Sequence, residues 1–365
     1  MGANPSRILI IRPSALGDVC RTVPVLVSLR AAFPQAQIDW LVQDAFADAI
    51  RAHPALSNVV PFPRRALQPF WNPAVAAKAI SWMNHALRAP RYELVVDCQG
   101  LARSGLFAWW TRAPRRVGSR HAAERAWLGY TARHPSGDSL HVVDRMLHLL
   151  ECEGIPVIRD MRLYAPNQAE TWWNAAPERP AGRYAVFAPT TRWPSKQWPA
   201  ERWAELAAQV LGRAEGSAEG GAAGSSAAPR GVEHIVYVGA PAEADAVRAA
   251  MPQHAALATR CVDLAGKTSV GGLMAVIRSA GLVVANDSAA LHMAVGFARP
   301  YVALFGPTDP AENGPYGGKE WVVKGDFAEC EPPLHYRDQR LGDRLMRRVA
   351  VKQVAQKVRL ALEQA

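Results

Sequence analysis

At 365 residues, 49% hydrophobic and 20% charged, the chain has room for two domains of ordinary size, each with its own core. No apolar run approaches the ~18 residues that span a bilayer, Met1–Arg7 lacks the apolar core of a signal peptide, and the cysteines at 20, 98, 152, 261 and 330 are never paired as C-x-x-C. That excludes a membrane-spanning or disulfide-stapled class, argues against a zinc site and fits a reducing cytoplasm. The formal net charge of +10, with only seven lysines among 42 basic residues, suits polyanionic partners and bidentate phosphate contacts, though arginine is abundant everywhere in the chain.

The first element is a buried strand over 7–12, because Ile8-Leu9-Ile10-Ile11 is apolar without alternation. The small-residue turn Ser14-Ala15-Leu16-Gly17-Asp18 follows, then a helix over 19–33. Strand 37–42, helix 45–52, strand 59–62 and helix 74–88 continue the alternation. Tyr92–Cys98 reads as a second buried strand ending in Gln99-Gly100-Leu101, before helix 102–112, a strand near 116–118 and helix 140–153. Strands separated by helices imply a parallel sheet with right-handed crossovers.

A proline-rich, irregular stretch over 155–183 separates this unit from a second of the same kind. There, strand 184–188, helix 199–212, strand 234–238, helix 241–251, helix 269–279, strand 282–285, helix 288–297 and strand 301–305 are expected, with a last helix over 349–363. The Gly/Ser/Ala run at 215–228 interrupts a helix-to-strand connection and reads as a flexible insertion, not a domain boundary. The expected architecture is α/β. Residues 1–165 and 180–345 form two Rossmann-like parallel-sheet domains facing a central cleft, with a C-terminal helix over 349–365.

Open α/β sheets bind ligands at the carboxyl ends of their strands, so Asp18 stands where a ligand would sit; a plain helix cap is the alternative. In Pro189-Thr190-Thr191-Arg192-Trp193-Pro194-Ser195-Lys196, hydroxyls, backbone N–H groups and the Lys196 charge suit phosphate oxygens, as an ordinary surface turn also would. Asn286-Asp287-Ser288-Ala289-Ala290-Leu291-His292 enters a helix directly from a buried strand, which makes a diphosphate site, with Ser288 and His292 four apart on one face. His292 equally suits a satisfied, half-buried histidine. Glu243, after strand 234–238, is placed to accept hydrogen bonds from a ribose diol or simply to favour a helix N-terminus. Gly306-Pro307-Thr308-Asp309-Pro310 is a turn that can close over a ligand.

Together these motifs, in this order, resemble glycosyltransferase family 9, the heptosyltransferases of lipopolysaccharide inner-core synthesis, from Ile8 to about Tyr316. The resemblance implies a GT-B fold and an ADP-heptose donor bound mainly by the C-terminal domain at Thr190, Thr191, Lys196, Glu243, Asp287, Ser288, Ala289 and His292. It also implies an anionic lipid-A–Kdo acceptor bound by the N-terminal domain, and inversion at the anomeric carbon without a metal or other cofactor. Arg64, Arg65 and Arg125 match basic positions that meet the acceptor in that family. Arg103 and Arg120 lie beyond the strand that ends at Asp97 and are expected to join them. Ser288-Ala289 departs from the family's common Thr-Gly, and only Cys330 remains of a cysteine-rich segment that some members carry.

The expected enzyme is therefore an inverting glycosyltransferase. Asp18 is its general base, and Lys196 and the helix end at Ser288 meet the charge on departing ADP. It is cytoplasmic, with peripheral contact at the inner face of the inner membrane. The alternatives are another nucleotide-sugar transferase of the same fold and a catalytically silent nucleotide- or polyanion-binding homologue. No nucleic-acid partner is expected, because the arginines form no aromatic-interleaved stripe.

Overall fold

Ile8, Leu9, Ile10 and Ile11 are completely buried because their strand lies in the middle of a sheet, with parallel partners on both sides. In the computed structural model this strand, β1 (Arg7–Ile11), is followed by β2 (Gln37–Gln43), β3 (Asn58–Phe62), β4 (Leu94–Asp97), β5 (Arg115–Ser119) and β6 (Ala132–His134). The second unit adds β7 (Tyr184–Ala188), β8 (His234–Tyr237), β9 (Cys261–Asp263), β10 (Leu282–Asn286), β11 (Tyr301–Phe305) and β12 (Val322–Lys324). The structure describes residues 4–68, 71–135, 137, 140–219, 231–325 and 337–364. Residues 220–228 of the Gly/Ser/Ala insertion and Cys330 lie outside them.

The chain forms two compact units, Met1–Tyr164 and Ala165–Ala365. Each holds one six-stranded sheet, ordered β3-β2-β1-β4-β5-β6 in the first and β12-β11-β10-β7-β8-β9 in the second, with every pairing parallel. Counted within its own unit, each sheet therefore has the doubly wound order 3-2-1-4-5-6, whose strand order reverses between the first and fourth strands. Those switch points lie between β1 and β4 and between β7 and β10.

Several elements differ from the sequence reading, each for a local reason. The helix expected over 19–33 is two helices, Leu16–Arg21 and Val23–Ala32, because Pro24 opens the second and cannot continue the first. The helix expected over 241–251 begins as the tight turn Pro241–Glu243 and becomes α-helical at Ala244–Ala249. Helix Ala200–Glu219 runs past residue 212 into the start of the expected insertion. Within the stretch read as irregular, Asn167–Ala175 is helical, as is Gln339–Met346 further on. Strands β6, β9 and β12 escaped notice because three residues carry too little pattern to read.

Aromatic clusters anchor both cores. Phe62, Trp82 and Phe107 meet at ring distances of 5.2–5.6 Å in the first unit. In the second, the fully buried Trp203 packs on Phe187 and Trp198, each at 5.4 Å. The C-terminal helix Val351–Glu363 buries Val351, Val354, Ala355, Val358 and Ala361 in that same core.

One close approach depends on missing side chains. Helix Ala102–Trp110 lies so near the turn Ala123–Gly129 that a Cβ on Gly105 would strike the Ala126 carbonyl, and one on Gly129 the Gly105 carbonyl. Backbone cannot yield as a flexible side chain can. Gly105→Ala is expected to destabilise the first unit by about 1–3 kcal/mol. A urea titration reads this as a lower midpoint; an unchanged midpoint would show that the two segments can part at no cost.

Candidate functional site

At the first switch point the chain leaves β1 through Arg12 and Pro13, crosses a cis Ser14–Ala15 peptide bond, and enters helix Leu16–Arg21 with Asp18 in its first turn. Asp18 does not cap with a side-chain oxygen on later N–H groups. Its Oδ2 instead reaches back to accept from the Ala15 N–H at 3.1 Å. Two arginines close on the same carboxylate: Arg12 Nη2 lies 3.1 Å from Oδ2, and Arg21 Nη2 bonds Oδ1. The arginine side chains are 9% exposed and that of Asp18 is 23%, so Asp18 is not sealed off from solvent.

Burial works against the Asp18 charge, but the Arg12 and Arg21 guanidiniums and the Ala15 N–H overcome it and hold the carboxyl well below the usual carboxylate range. Its neighbour at the end of β4 behaves oppositely. Burial raises the pKa of Asp97, and its oxygens are occupied by the Tyr130 hydroxyl at 2.6 Å and the Gln99 and Gly100 N–H groups at 2.8 and 3.2 Å. Asp97 therefore shapes the loop, whereas Asp18 is held in its charged form with part of its side chain still exposed.

The five arginines expected at the acceptor all follow strands of this sheet, on the edge that carries Asp18. Arg64 is half-buried just beyond β3, with Arg65 exposed beside it; Arg103 opens the helix after β4; Arg120 and Arg125 are exposed beyond β5. Arg103 stands close enough to Arg64 to feel its charge, with Glu124 as a counter-charge, and lies over the Phe62 ring at 5.6 Å. Glu124 and Arg125 both adopt positive φ, 53° and 60°, and the Ala102 N–H donates to Glu124 Oε2 at 3.1 Å. Arg120 faces His121 instead, at 3.2 Å.

At the second switch point the loop after β7 and the loop after β10 are stapled by Asn286, which is completely buried. Its Nδ2 donates to the Pro189 carbonyl at 2.8 Å, and its Oδ1 accepts from the Trp198 N–H at 3.2 Å. Asp287 then gathers the surrounding charge. Lys196 Nζ donates to Asp287 Oδ2 at 2.6 Å, the Thr308 hydroxyl donates to the same oxygen at 3.1 Å, and His292 Nε2 lies 3.9 Å from Oδ1. Lys196 is thus a charge fixed by a partner, not a solvated point charge.

Ser288 occupies the N-cap position of the eight-residue helix Ala289–Gly296 but makes no capping bond. Its Oγ is buried and has no hydrogen-bond partner, an uncommon state for a hydroxyl and one that a ligand would relieve. Ala289 begins the helix, and His292 is 2% exposed, more deeply set than the half-buried histidine expected. The two threonines serve the loop itself. Thr190 donates to Glu243 Oε2 at 2.9 Å, and Thr191 donates to the Trp193 carbonyl at 2.9 Å. Glu243 Oε2 also accepts from the Ala240 N–H at 2.9 Å.

Every donor-site residue named from sequence therefore falls on three neighbouring strand-end loops of one unit or on the helix that one of them opens, and every acceptor-site residue follows a strand of the other. Sequence reading missed Arg12 and Arg21 around Asp18, and it placed Asn286 and Thr308 in ligand-loop motifs without assigning either a contact there. Arg21 was within reach of it, three residues after Asp18 and so on the same helix face. Arg12 carried a signal too: a charge directly after four buried apolar residues. Among the described residues, no three His, Cys, Asp or Glu side chains gather closely enough to hold a metal ion. No helix among them is long and apolar enough to cross a membrane.

The family described as Glycosyltransferase family 9 (heptosyltransferase) matches residues 81–215 and 226–341. The lipopolysaccharide heptosyltransferase 1 of Pseudomonas aeruginosa is 30% identical over 338 residues, 90% of this chain and 86% of the relative. The lipopolysaccharide heptosyltransferase 2 of Escherichia coli is 25% identical over 356 residues, 88% of this chain and 92% of the relative. A solved structure of the Escherichia coli heptosyltransferase WaaC with ADP-2-deoxy-2-fluoro heptose superposes with a TM-score of 0.71 at 26% identity, covering 98% of this chain and 100% of that one. With matches that run through both units and both switch points, the chain belongs to glycosyltransferase family 9 and is a glycosyltransferase of the two-unit α/β GT-B fold.

Proposed function

We propose that this protein transfers heptose from ADP-heptose to the lipopolysaccharide inner core, either Kdo–lipid A or its heptosylated form, with inversion at the anomeric carbon. It works in the cytoplasm at the inner face of the inner membrane, where a lipid-linked acceptor is presented. The observation that carries the reading is Asp18, a carboxylate kept ionised by two arginines on a side chain that stays partly exposed, at the switch point of the first sheet. The donor identity is supported by the ADP-heptose analogue held by the solved Escherichia coli relative.

In this mechanism the second unit holds the donor. The diphosphate sits against the N–H groups that open helix Ala289–Gly296, with the buried Ser288 hydroxyl and the Lys196 charge beside it. Asp287 and Thr308 keep Lys196 in place, so little reorganisation is needed as negative charge develops. Thr190 and Thr191 shape the loop under the diphosphate, His292 buttresses Asp287, and Glu243 accepts from the ribose through the oxygen that Thr190 and Ala240 leave available. Arg64, Arg65, Arg103, Arg120 and Arg125 of the first unit meet the anionic acceptor. Asp18 takes the proton of the acceptor hydroxyl as that oxygen bonds to the anomeric carbon. The bond from that carbon to ADP breaks, and ADP leaves with the electron pair.

Because folding lowers the Asp18 pKa, its clamp stabilises the protein above the unfolded carboxyl value near ~4, and that contribution fades as pH falls below it. The low value also makes Asp18 a weak base at neutral pH, so its power comes from position more than basicity. Mass-spectrometric turnover with ADP-heptose and truncated lipopolysaccharide acceptors tests the whole reading; no product on any acceptor overturns it.

Three variants probe the roles. Asp18→Asn is expected to lower kcat by ~10²–10⁴-fold with ADP affinity unchanged. It also leaves two buried guanidiniums without their counter-charge, so the melting midpoint must be recorded alongside the rate. Near-wild-type kcat in the folded variant would return Asp18 to a structural role. Arg21→Ala removes a charge that lowers the Asp18 pKa, so the acid limb of kcat/KM should move to higher pH; a limb that stays in place would detach Asp18 from the rate. Arg64→Ala/Arg65→Ala should raise the acceptor KM and flatten its salt dependence, and an unchanged KM at low and high salt would remove both from the site.

A further inference from the structure

One stretch of the first unit carries almost all of the net charge. Between Asp48 and Glu124 stand eleven arginines and lysines against two carboxylates, Glu93 and Asp97, a formal +9 of the chain's +10. Both carboxylates are engaged, Glu93 by the Ser6 hydroxyl and N–H at 2.6 and 2.9 Å and Asp97 buried under Tyr130, while Arg51 and Arg115 are met by Asp48 and Glu153 from outside the stretch.

The same part of the chain turns large apolar side chains outward. Ile80 is 47% exposed on helix Pro73–Met83, Leu106 and Trp109 are 45% and 37% exposed one turn apart on helix Ala102–Trp110, and Leu128 is 59% exposed on the turn Ala123–Gly129. Trp71, just before the first of these helices, is 76% exposed. The three segments lie side by side. Trp82 meets Phe107 at 5.6 Å, Trp110 Nε1 donates to Asn84 Oδ1 at 3.0 Å, and Gly105 abuts Ala126. Their inner residues Met83, Leu87, Phe107 and Ala126 form the core with Leu9 and Val95 of the sheet.

A single exposed leucine needs no explanation, but a layer that fills its core from one side and shows apolar groups from all three segments on the other does. Cations are interspersed among them. Arg112 lies over the Trp109 ring at 4.0 Å, Arg103 shares the exposed stripe with Leu106 and Trp109, and Lys78 is the only charged residue of helix Pro73–Met83.

We infer that this outer layer is a docking surface for an anionic lipid bilayer. Ile80, Leu106, Trp109 and Leu128 enter the headgroup boundary, and the surrounding arginines meet lipid phosphates. Tryptophan favours that boundary, and an apolar surface ringed by arginine and lysine gains both buried area and attraction to anionic lipid. Charge complementarity selects the bilayer over a second copy of this chain, whose matching face would set Lys78, Arg103 and Arg112 against their own counterparts. The inference deepens the proposed reading and rests on it for the lipid-linked acceptor.

The test sediments the full chain with vesicles of phosphatidylethanolamine and phosphatidylglycerol, and with phosphatidylcholine vesicles, at low and high salt. The chain should partition onto the anionic vesicles only, less at high salt, and Ile80→Ser/Leu106→Ser/Trp109→Ser should lose roughly tenfold or more of that partitioning. The charge variant Lys78→Glu/Arg112→Glu should weaken it independently, which covers failure of the triple variant to fold. Both variants should keep wild-type kcat and KM on a soluble, deacylated acceptor while slowing on one embedded in vesicles. Absence of wild-type binding to anionic vesicles overturns the inference. So does unchanged binding by the folded variants, or self-association that the substitutions abolish without any vesicle binding. Vesicle binding is read with no sugar nucleotide present, so a failed heptose transfer leaves it standing, and lost docking with intact turnover on the soluble acceptor leaves the transfer standing.

Discussion

In a sheet of parallel strands every loop that follows a strand leaves from the same edge, and each unit of this protein is such a sheet. That constraint collects residues far apart in sequence. Thr190 and Asp287 become neighbours because β7 and β10 are adjacent and in parallel register, Ala188 opposite Ala285. Asp18 and Gln99 do so because β1 lies beside β4, and the Ser14 N–H then donates to Gln99 Oε1 at 3.2 Å. The reversal of strand order at the same place leaves the helices on either side diverging to opposite faces, which opens room for a ligand between them.

Each switch point is then organised around a carboxylate that does not face its cations alone. Asp287 holds Lys196 and Thr308 and has His292 nearby; Asp18 holds Arg12 and Arg21. Ion pairs this deep stabilise a fold only weakly, since desolvation offsets most of their attraction, but losing one partner is costly. What they do in the structure is fix the positions of these charges. The opposite pKa directions of Asp18, in the segment after β1, and Asp97, at the end of the adjacent β4, show how local the control is: guanidiniums lower one, burial raises the other.

The proposed donor site and the proposed docking layer use different physics. Around Asp287 and Ser288 the chemistry is short-ranged, built from a helix terminus, a buried hydroxyl and one fixed lysine. On the outer layer of the first unit it is long-ranged and additive, built from Lys78, Arg103 and Arg112 and from apolar side chains that no core absorbs. The first kind suits a small diphosphate, the second an extended anionic surface.

Much of this was readable from residues alone. Unbroken apolar runs marked the central strands, the alternation with helices implied two parallel sheets, and the loops around Asp18, Thr190, Lys196 and Asp287 were identified as strand ends, because all of these are local patterns of three to ten residues. Edge strands of three residues, the helix Asn167–Ala175 within a proline-rich stretch, and the break at Pro24 were not, since each depends on packing more than on pattern. The same division holds at the site. Sequence named Asp18 and Lys196 as charges, and only the tertiary fold decided their partners. Arg12 reaches Asp18 across a turn, and Lys196 meets Asp287 across 91 residues. A side chain's charge is a property of the residue, whereas its pKa, its orientation and its freedom to act belong to whatever the folded chain brings against it.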